Sequence, residues 1–165
     1  MTQGSEPVSA VAIDILVESP LWKNVPAAEA TVIEAIGAAA AEISTSAGEV
    51  SVVLTDDEAI RRLNRDWRKI DKPTNVLSFP AARTPGLEPV LLGDIVIAYE
   101  TLEREAAAEG KDFLHHLAHL AVHGFLHLMG YDHQTDSDAD DMESVEIAIL
   151  NRLKVPDPYL VRDTD

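Results

Sequence analysis

The chain has 165 residues, 29 acidic against 13 basic side chains, a formal charge of −16 and no cysteine. That length favours one domain with a single core over two. The missing cysteines exclude a disulfide framework and leave any metal to histidine, carboxylate or solvent, while the negative charge speaks against nonspecific nucleic-acid binding.

The first twenty residues lack a basic segment followed by an apolar run, so no secretory signal and a cytoplasmic location are expected. AVAIDILVES (10–19) alternates like a strand, and VPAAEATVIEAIGAAAAEIS (25–44) has helical apolar spacing, with Pro26 suited to a first turn. EVSVVLT (49–55) reads as a strand, and DDEAIRRLNRDWR (56–68) as a short helix whose acidic start suits the helix dipole. TNVLSFP (74–80) is a strand closed by proline, RTPGLEP (83–89) a loop, and LLGDIVIAY (91–99) a further strand. From Glu100 the pattern turns helical, Gly110 interrupts it, and a second helix runs from Asp112 to Met129. A last amphipathic helix spans Ser137 to Leu153. The order predicts a mixed α/β (α+β) single domain, helices packed with one small four-stranded sheet, and a short acidic C-terminal tail.

Two segments depart from the average. Six of the thirteen Lys and Arg fall in RRLNRDWRKIDK (61–72), opposed only by Asp66 and Asp71, which makes a local positive patch. Phe113 to Tyr131 is nineteen residues without Asp, Glu, Lys or Arg, near the length of a membrane span. Five histidines inside it argue instead for a core helix. Phe113, Leu117, Leu120, Val122 and Leu126 would pack under the sheet while the histidine side faces a cleft.

All six histidines lie between 115 and 133, and His115, His119, His123 and His127 recur every four residues. Successive rings at that spacing share one helical face, rotated by about 40° per step. HGFLHLMGYDH (123–133) then adds a glycine and a third histidine at the spacing of HExxHxxGxxH zinc peptidases. Gly130 can take the left-handed turn that brings His133 back across the helix end, so that three imidazoles meet one ion. His115 and His116 read as cleft-edge or surface residues. His119 reads as lining the pocket or orienting a ligand without coordinating. Met142 reads as core packing. Structural zinc sites are usually closed by four protein ligands, so three leave a corner open to water or substrate and imply hydrolysis.

The glutamate that serves the peptidases as general base is here Gly124. Peptide hydrolysis needs a carboxylate beside the water. Phosphodiester cleavage depends more on positive charge around the phosphorus, which Arg68 would supply as a planar fork.

LNRDWRKIDKPTNVLSFP (63–80), LLGDIVIA (91–98) and HLAVHGFLHLMGYDH (119–133) together resemble the YbeY family of bacterial endoribonucleases, also called rRNA maturation factors, in matching order over residues 50–152. The one departure inside these blocks is Trp67, where the family often has another aromatic. The resemblance implies a single-strand-specific, usually zinc-dependent RNase of mixed α/β fold, acting in 16S rRNA 3′ end maturation and ribosome quality control. It implies His123, His127 and His133 as ligands of one Zn2+ or another divalent ion, with Arg68 on the scissile phosphate and Arg68 and His123 as catalytic residues. Ribosomal RNA and its precursors are the implied substrates, and ribosomal proteins or assembly factors the implied partners. In the DKPTNVLSF stretch Asp71 and Asn75 also fit turn caps, Asp94 fits a strand edge facing the cleft, and Asp132 fits a role holding a histidine tautomer. Two further readings stand beside the nuclease: a ribosome-associated binding protein whose metal is structural, and, third, a metallopeptidase.

Overall fold

The computed structural model describes residues 11–45, 48–82, 86 and 90–160. Two strands with aliphatic side chains on both faces form its middle, β2 (Glu49–Thr55) and β4 (Leu91–Ala98). Val50, Val52, Leu54, Ile95 and Ile97 enter the larger core, while Val96 and Ala98 enter a smaller one with Leu77 and Ile60. A strand buried on both faces needs parallel neighbours or cover from helices, and β2 has both. β1 (Ala12–Val17) and β4 flank it in parallel, and β3 (Val76–Pro80) runs antiparallel along β4, giving the order β1-β2-β4-β3. β3 is therefore an edge, where Pro80 is tolerated.

The helices divide unequally between the two faces. α1 (Ala28–Glu42), α3 (Tyr99–Glu109), α4 (Phe113–Leu128) and α5 (Asp136–Arg152) surround the larger core, and α2 (Asp57–Arg68) alone closes the smaller one with Ile60 and Leu63. The expected mixed α/β domain with a four-stranded sheet is present, with helices on both sides of the sheet. Among the described residues no helix is long and apolar enough to cross a membrane. Leu117, Leu120, Val122 and Leu126 of α4 are buried, with Phe113 half-buried, as the apolar side of a core helix should be.

Side-chain caps fix several helix ends. Asp56 Oδ1 accepts from Ala59 N at 2.9 Å, Asp112 Oδ1 from Leu114 N at 2.9 Å, and Thr135 Oγ1 from Asp138 N at 3.0 Å. α1 starts later than its sequence pattern, with Pro26 in the turn ahead of the helix instead of inside it. A 3-10 turn at Pro20–Asn24 had no sequence signal of its own: Trp22 holds it by donating Nε1 to Thr55 O at 2.8 Å and meeting Tyr99 edge-on. Of the expected RTPGLEP loop only Gly86, in a turn, is described; its other residues, like Ala10, lie outside the described residues.

The approach of α4 to the sheet places the histidines. Gly124 is buried, and its carbonyl accepts from Ser78 Oγ on β3 at 2.9 Å. A Cβ at residue 124 would stand 2.9 Å from Ile95 Cγ2, 3.2 Å from Ser78 Oγ and 3.3 Å from Val76 Cγ2. Ile95 and Val76 are β-branched and stiff, so the helix would have to back away. Alanine adds about 1 kcal/mol of helix propensity, but overpacking at such a contact costs about 1–3 kcal/mol. Gly124→Ala is thus expected to lower stability by about 1 kcal/mol, and Gly124→Glu by several-fold more, in urea unfolding. An alanine variant as stable as the parent would contradict this account of the contact.

Candidate metal centre

α4 carries His123 and His127 one turn apart, and their Nε2 atoms approach to 3.1 Å. Helical hydrogen bonding then ends, with Tyr131 N on Leu126 O at 3.0 Å and Gly130 at φ +99°, the left-handed region the turn requires. The chain returns and lays the exposed His133 ring nearly parallel over His123, with ring centres 5.1 Å apart and 5.2 Å from His127. One ring nitrogen from each of the three histidines lies within 4.8 Å of the other two.

Hydrogen bonds fix which nitrogens are bare. His127 Nδ1 must donate to Tyr131 O, 3.0 Å away, because a carbonyl only accepts. His123 Nδ1 donates to Glu146 Oε2, also at 3.0 Å. With both rings neutral, their Nε2 lone pairs would face each other at 3.1 Å, a repulsive contact that a shared cation would turn into an attractive one. Adjacent nitrogens on a tetrahedral ion with bonds of about 2.0–2.1 Å stand roughly 3.3 Å apart, close to the separation seen. Burial, followed by the neighbouring His123 and His133 rings, holds His127 below the ordinary histidine value and so in its neutral, ligating form. The three residues fit a divalent ion.

Glu146, from α5, was not singled out by the sequence reading and organises the site from behind. It is fully buried; Oε2 accepts from His119 Nε2 and His123 Nδ1, both at 3.0 Å, and Oε1 accepts from Tyr159 Oη at 2.6 Å. Burial alone would raise its acid, but the bonds from His119 and His123, the charge of His123 and the Tyr159 hydroxyl outweigh it and bring the value down to about 2. Burial, then Glu146, pushes the Tyr159 hydroxyl the other way, well above an ordinary phenol, so it stays a donor. Met142, Glu146, Ile149 and Leu150 are the buried stripe of α5, and Met142 is core as expected. A lone carboxylate inside an apolar stripe is the signal that could have exposed this residue.

Three expectations are corrected. His116 is not a surface residue: it is 5% exposed, lines a cavity beside the centre, and its Nε2 meets Glu105 Oε1 at 2.9 Å. Asp132 does not hold a tautomer; its Oδ1 accepts from His133 N at 2.7 Å and so shapes the loop, while Glu146 and the Tyr131 carbonyl set the tautomers. Asp94 is exposed on the interior strand β4, outside the lining of the cleft. Asp71 pairs with Arg61 at 2.6 Å, and Asn75 both accepts from Val76 N at 2.6 Å and donates to Glu105 at 2.9 Å. His119 stays outside the cluster of His123, His127 and His133, but with His123 and Glu146 it forms a second group whose donor atoms lie close enough to hold an ion.

A cleft of about 540 Å³ runs between the end of α2, the Thr74–Ser78 stretch and the histidines, and Arg68, His123, His127 and Asp132 all line it. Arg61, Arg62 and Arg65 neutralise Glu58, Asp66 and Asp71 through pairs of 2.6–3.3 Å. Among the described residues Arg68 forms no hydrogen bond or ion pair, so its fork is available to the cleft.

A mixed α/β domain with a three-histidine group that could hold a metal ion, beside an arginine without an ion pair among the described residues, defines a candidate metal centre in a cleft suited to anions. The chain belongs to the YbeY family: the model described as Endoribonuclease YbeY matches residues 21–154. It is 52% identical to the Endoribonuclease YbeY of Rhodopseudomonas palustris over 99% of this chain and 86% of that protein. To the protein of the same name from Nitrobacter hamburgensis it is 54% identical, over 90% of this chain and 82% of the relative. The solution structure of TM1509 from Thermotoga maritima shares the fold with a TM-score of 0.53 at 24% identity, covering 90% of this chain and 99% of that one.

Two measurements test the site's construction. Glu146→Gln keeps the shape but removes the charge that orients His123, and losses of this kind weaken metal binding about 10–100-fold. Competition with a zinc-sensitive dye should show that drop; parental affinity would remove Glu146 from the metal site. His116 is held below its ordinary 6.5 by burial, only partly offset by Glu105. The unfolded chain therefore takes the proton first, so this contribution to stability is full above pH 6.5 and is lost as pH falls through the lower folded value. His116→Gln should flatten the decline in denaturant stability below pH 6.5, and an unchanged slope would contradict the assignment.

Proposed function

We propose that this protein is a zinc-dependent endoribonuclease that cleaves single-stranded RNA, holding one ion with His123, His127 and His133 and gripping the scissile phosphate with Arg68. The observation that carries the reading is the shared cleft: converging bare imidazole nitrogens and an unpaired guanidinium line the same 540 Å³ space. A bound divalent ion supplies Lewis acidity and a water acidic enough to ionise near neutral pH.

The chain's own groups do the rest. Arg68 offers two parallel donors to non-bridging phosphate oxygens and offsets charge that grows at the phosphorus. Glu146 keeps the bare nitrogen of His123 aimed into the cleft, and the Tyr131 carbonyl does the same for His127. Gly124 leaves no carboxylate at the position a peptidase would use, and its contact with Ile95 leaves no room for one. That disfavours peptide hydrolysis. Family membership supports ribosomal RNA precursors as substrates, with 16S rRNA 3′ end maturation and ribosome quality control in the cytoplasm as the setting, and ribosomal proteins or assembly factors as partners.

Purified protein should cut single-stranded rRNA precursor, lose the activity to a chelator and regain it with zinc. His123→Ala should abolish cleavage, and Arg68→Ala should lower kcat by about 10²–10³, as loss of one preorganised donor does elsewhere, with unfolding curves unchanged. RNA that binds through Arg68 but never yields a metal-dependent product would make the protein a binding module. Chelator-sensitive turnover of peptides would reverse the argument from Gly124.

A further inference from the structure

Trp67 is 69% exposed, the most exposed large hydrophobic residue described, and it belongs to the apolar stripe of α2 that begins with Ile60 and Leu63. A residue in that stripe should be buried under the sheet. Instead Trp67 stays largely exposed and meets the β3 residue Phe79 edge-on, ring centres 6.0 Å apart and 63° between planes. The indole is braced on one side and open to solvent over most of its surface. Trp22, by contrast, is 3% exposed and serves the core.

The electrostatic surroundings distinguish this indole from a stray apolar residue. Glu58, Asp66 and Asp71 are each paired with Arg61, Arg62 or Arg65. Among the described residues Arg68, Lys69 and Lys72 take part in no ion pair, so they remain as local positive charge on a chain of net charge −16. Lys69 sits in the left-handed region at φ +63°, a conformation that favours glycine, and that turn ends α2 directly beyond Trp67 and Arg68. Trp67 and Arg68 are thus consecutive residues, one an open aromatic surface and the other lining the histidine cleft.

We propose that Trp67 is a stacking platform for a nucleobase of single-stranded RNA, next to the phosphate held by Arg68. Every base has a π-face, so such a platform tolerates any sequence while adding affinity that phosphate contacts alone would not give. Charge complementarity selects nucleic acid over an apolar partner: an occupant must pair its backbone with Arg68, Lys69 and Lys72 while offering a flat ring to the indole. The inference rests on the RNA reading above and assigns that site its first base-contacting residue.

The test measures binding, so it does not depend on cleavage. Fluorescence anisotropy follows the full-length protein with a short 2′-O-methylated single strand and with an abasic strand of the same backbone. The parent should prefer the base-bearing strand by about 5- to 150-fold, the range of one stacked base. Trp67→Ala should bind both strands alike, with the slope of log affinity against log salt unchanged, because stacking releases no counterions. Trp67→Phe should keep most of the preference. Arg68→Ala should do the reverse, reducing the slope by about 0.7 and sparing the preference. Base preference that survives Trp67→Ala in a normally folded variant overturns the proposal, as does a parent indifferent to bases, and either result would leave the indole to a protein partner. Failure to cleave natural RNA would sink the nuclease reading alone.

Discussion

The hydrogen bond from His123 to the buried Glu146 carboxylate is the constraint on which the centre depends. It fixes one tautomer and so decides which nitrogen faces the cleft. A carboxylate with no solvent exposure is tolerated because three donors converge on it, from His119, His123 and Tyr159. Those donors come from α4 and from the segment after α5, so one ionised group ties α4, α5 and the C-terminal stretch together behind the three-histidine group. Removing one partner would leave the others facing an imperfectly satisfied buried charge, the costly half of the asymmetry in hydrogen bonding.

The second constraint works on the other side of α4. Gly124 lets the helix settle against Ile95, Val76 and Ser78, bringing the histidine stripe level with the β3 edge and the end of α2. The spacing HxxxHxxGxxH is common to zinc peptidases and this chain, and it brings two imidazoles one turn apart and a third from a returning loop within reach of one ion. What differs is the residue after the first histidine. There a peptidase places its base, and here helix-to-sheet contact occupies the space. The same spacing thereby accompanies a different family, with Arg68 at the end of α2 lining the cleft beside the histidines.

Much of this was legible in the sequence because it is local. Strand alternation, helical spacing and the acidic residues at helix starts gave elements within a few residues of those observed, and the three-histidine cluster was readable because its members lie within eleven consecutive residues. What escaped was set by distant partners. Glu146 lies 23 residues beyond His123, and Tyr159 another 13 on, with no local pattern linking them except a carboxylate among apolar neighbours. The Trp22 turn exists because of Thr55, 33 residues away, and His116 is buried because α3 supplies Glu105. Arg68 stood out in sequence by its place before DKPTNVLSFP, but that Arg68 alone of the four arginines of the basic run has no ion pair among the described residues, while its neighbours neutralise nearby acids, depends on the fold.

The central claim concerns one ion held by three imidazoles with a corner left for chemistry. X-ray absorption at the zinc edge, on protein purified without added chelator, reads that coordination sphere directly. The account predicts three nitrogen scatterers at about 2.0–2.1 Å with imidazole outer-shell features, plus one oxygen that exchanges with added phosphate ester. A fourth protein donor closing the sphere, or a spectrum showing fewer than three imidazoles, would contradict it.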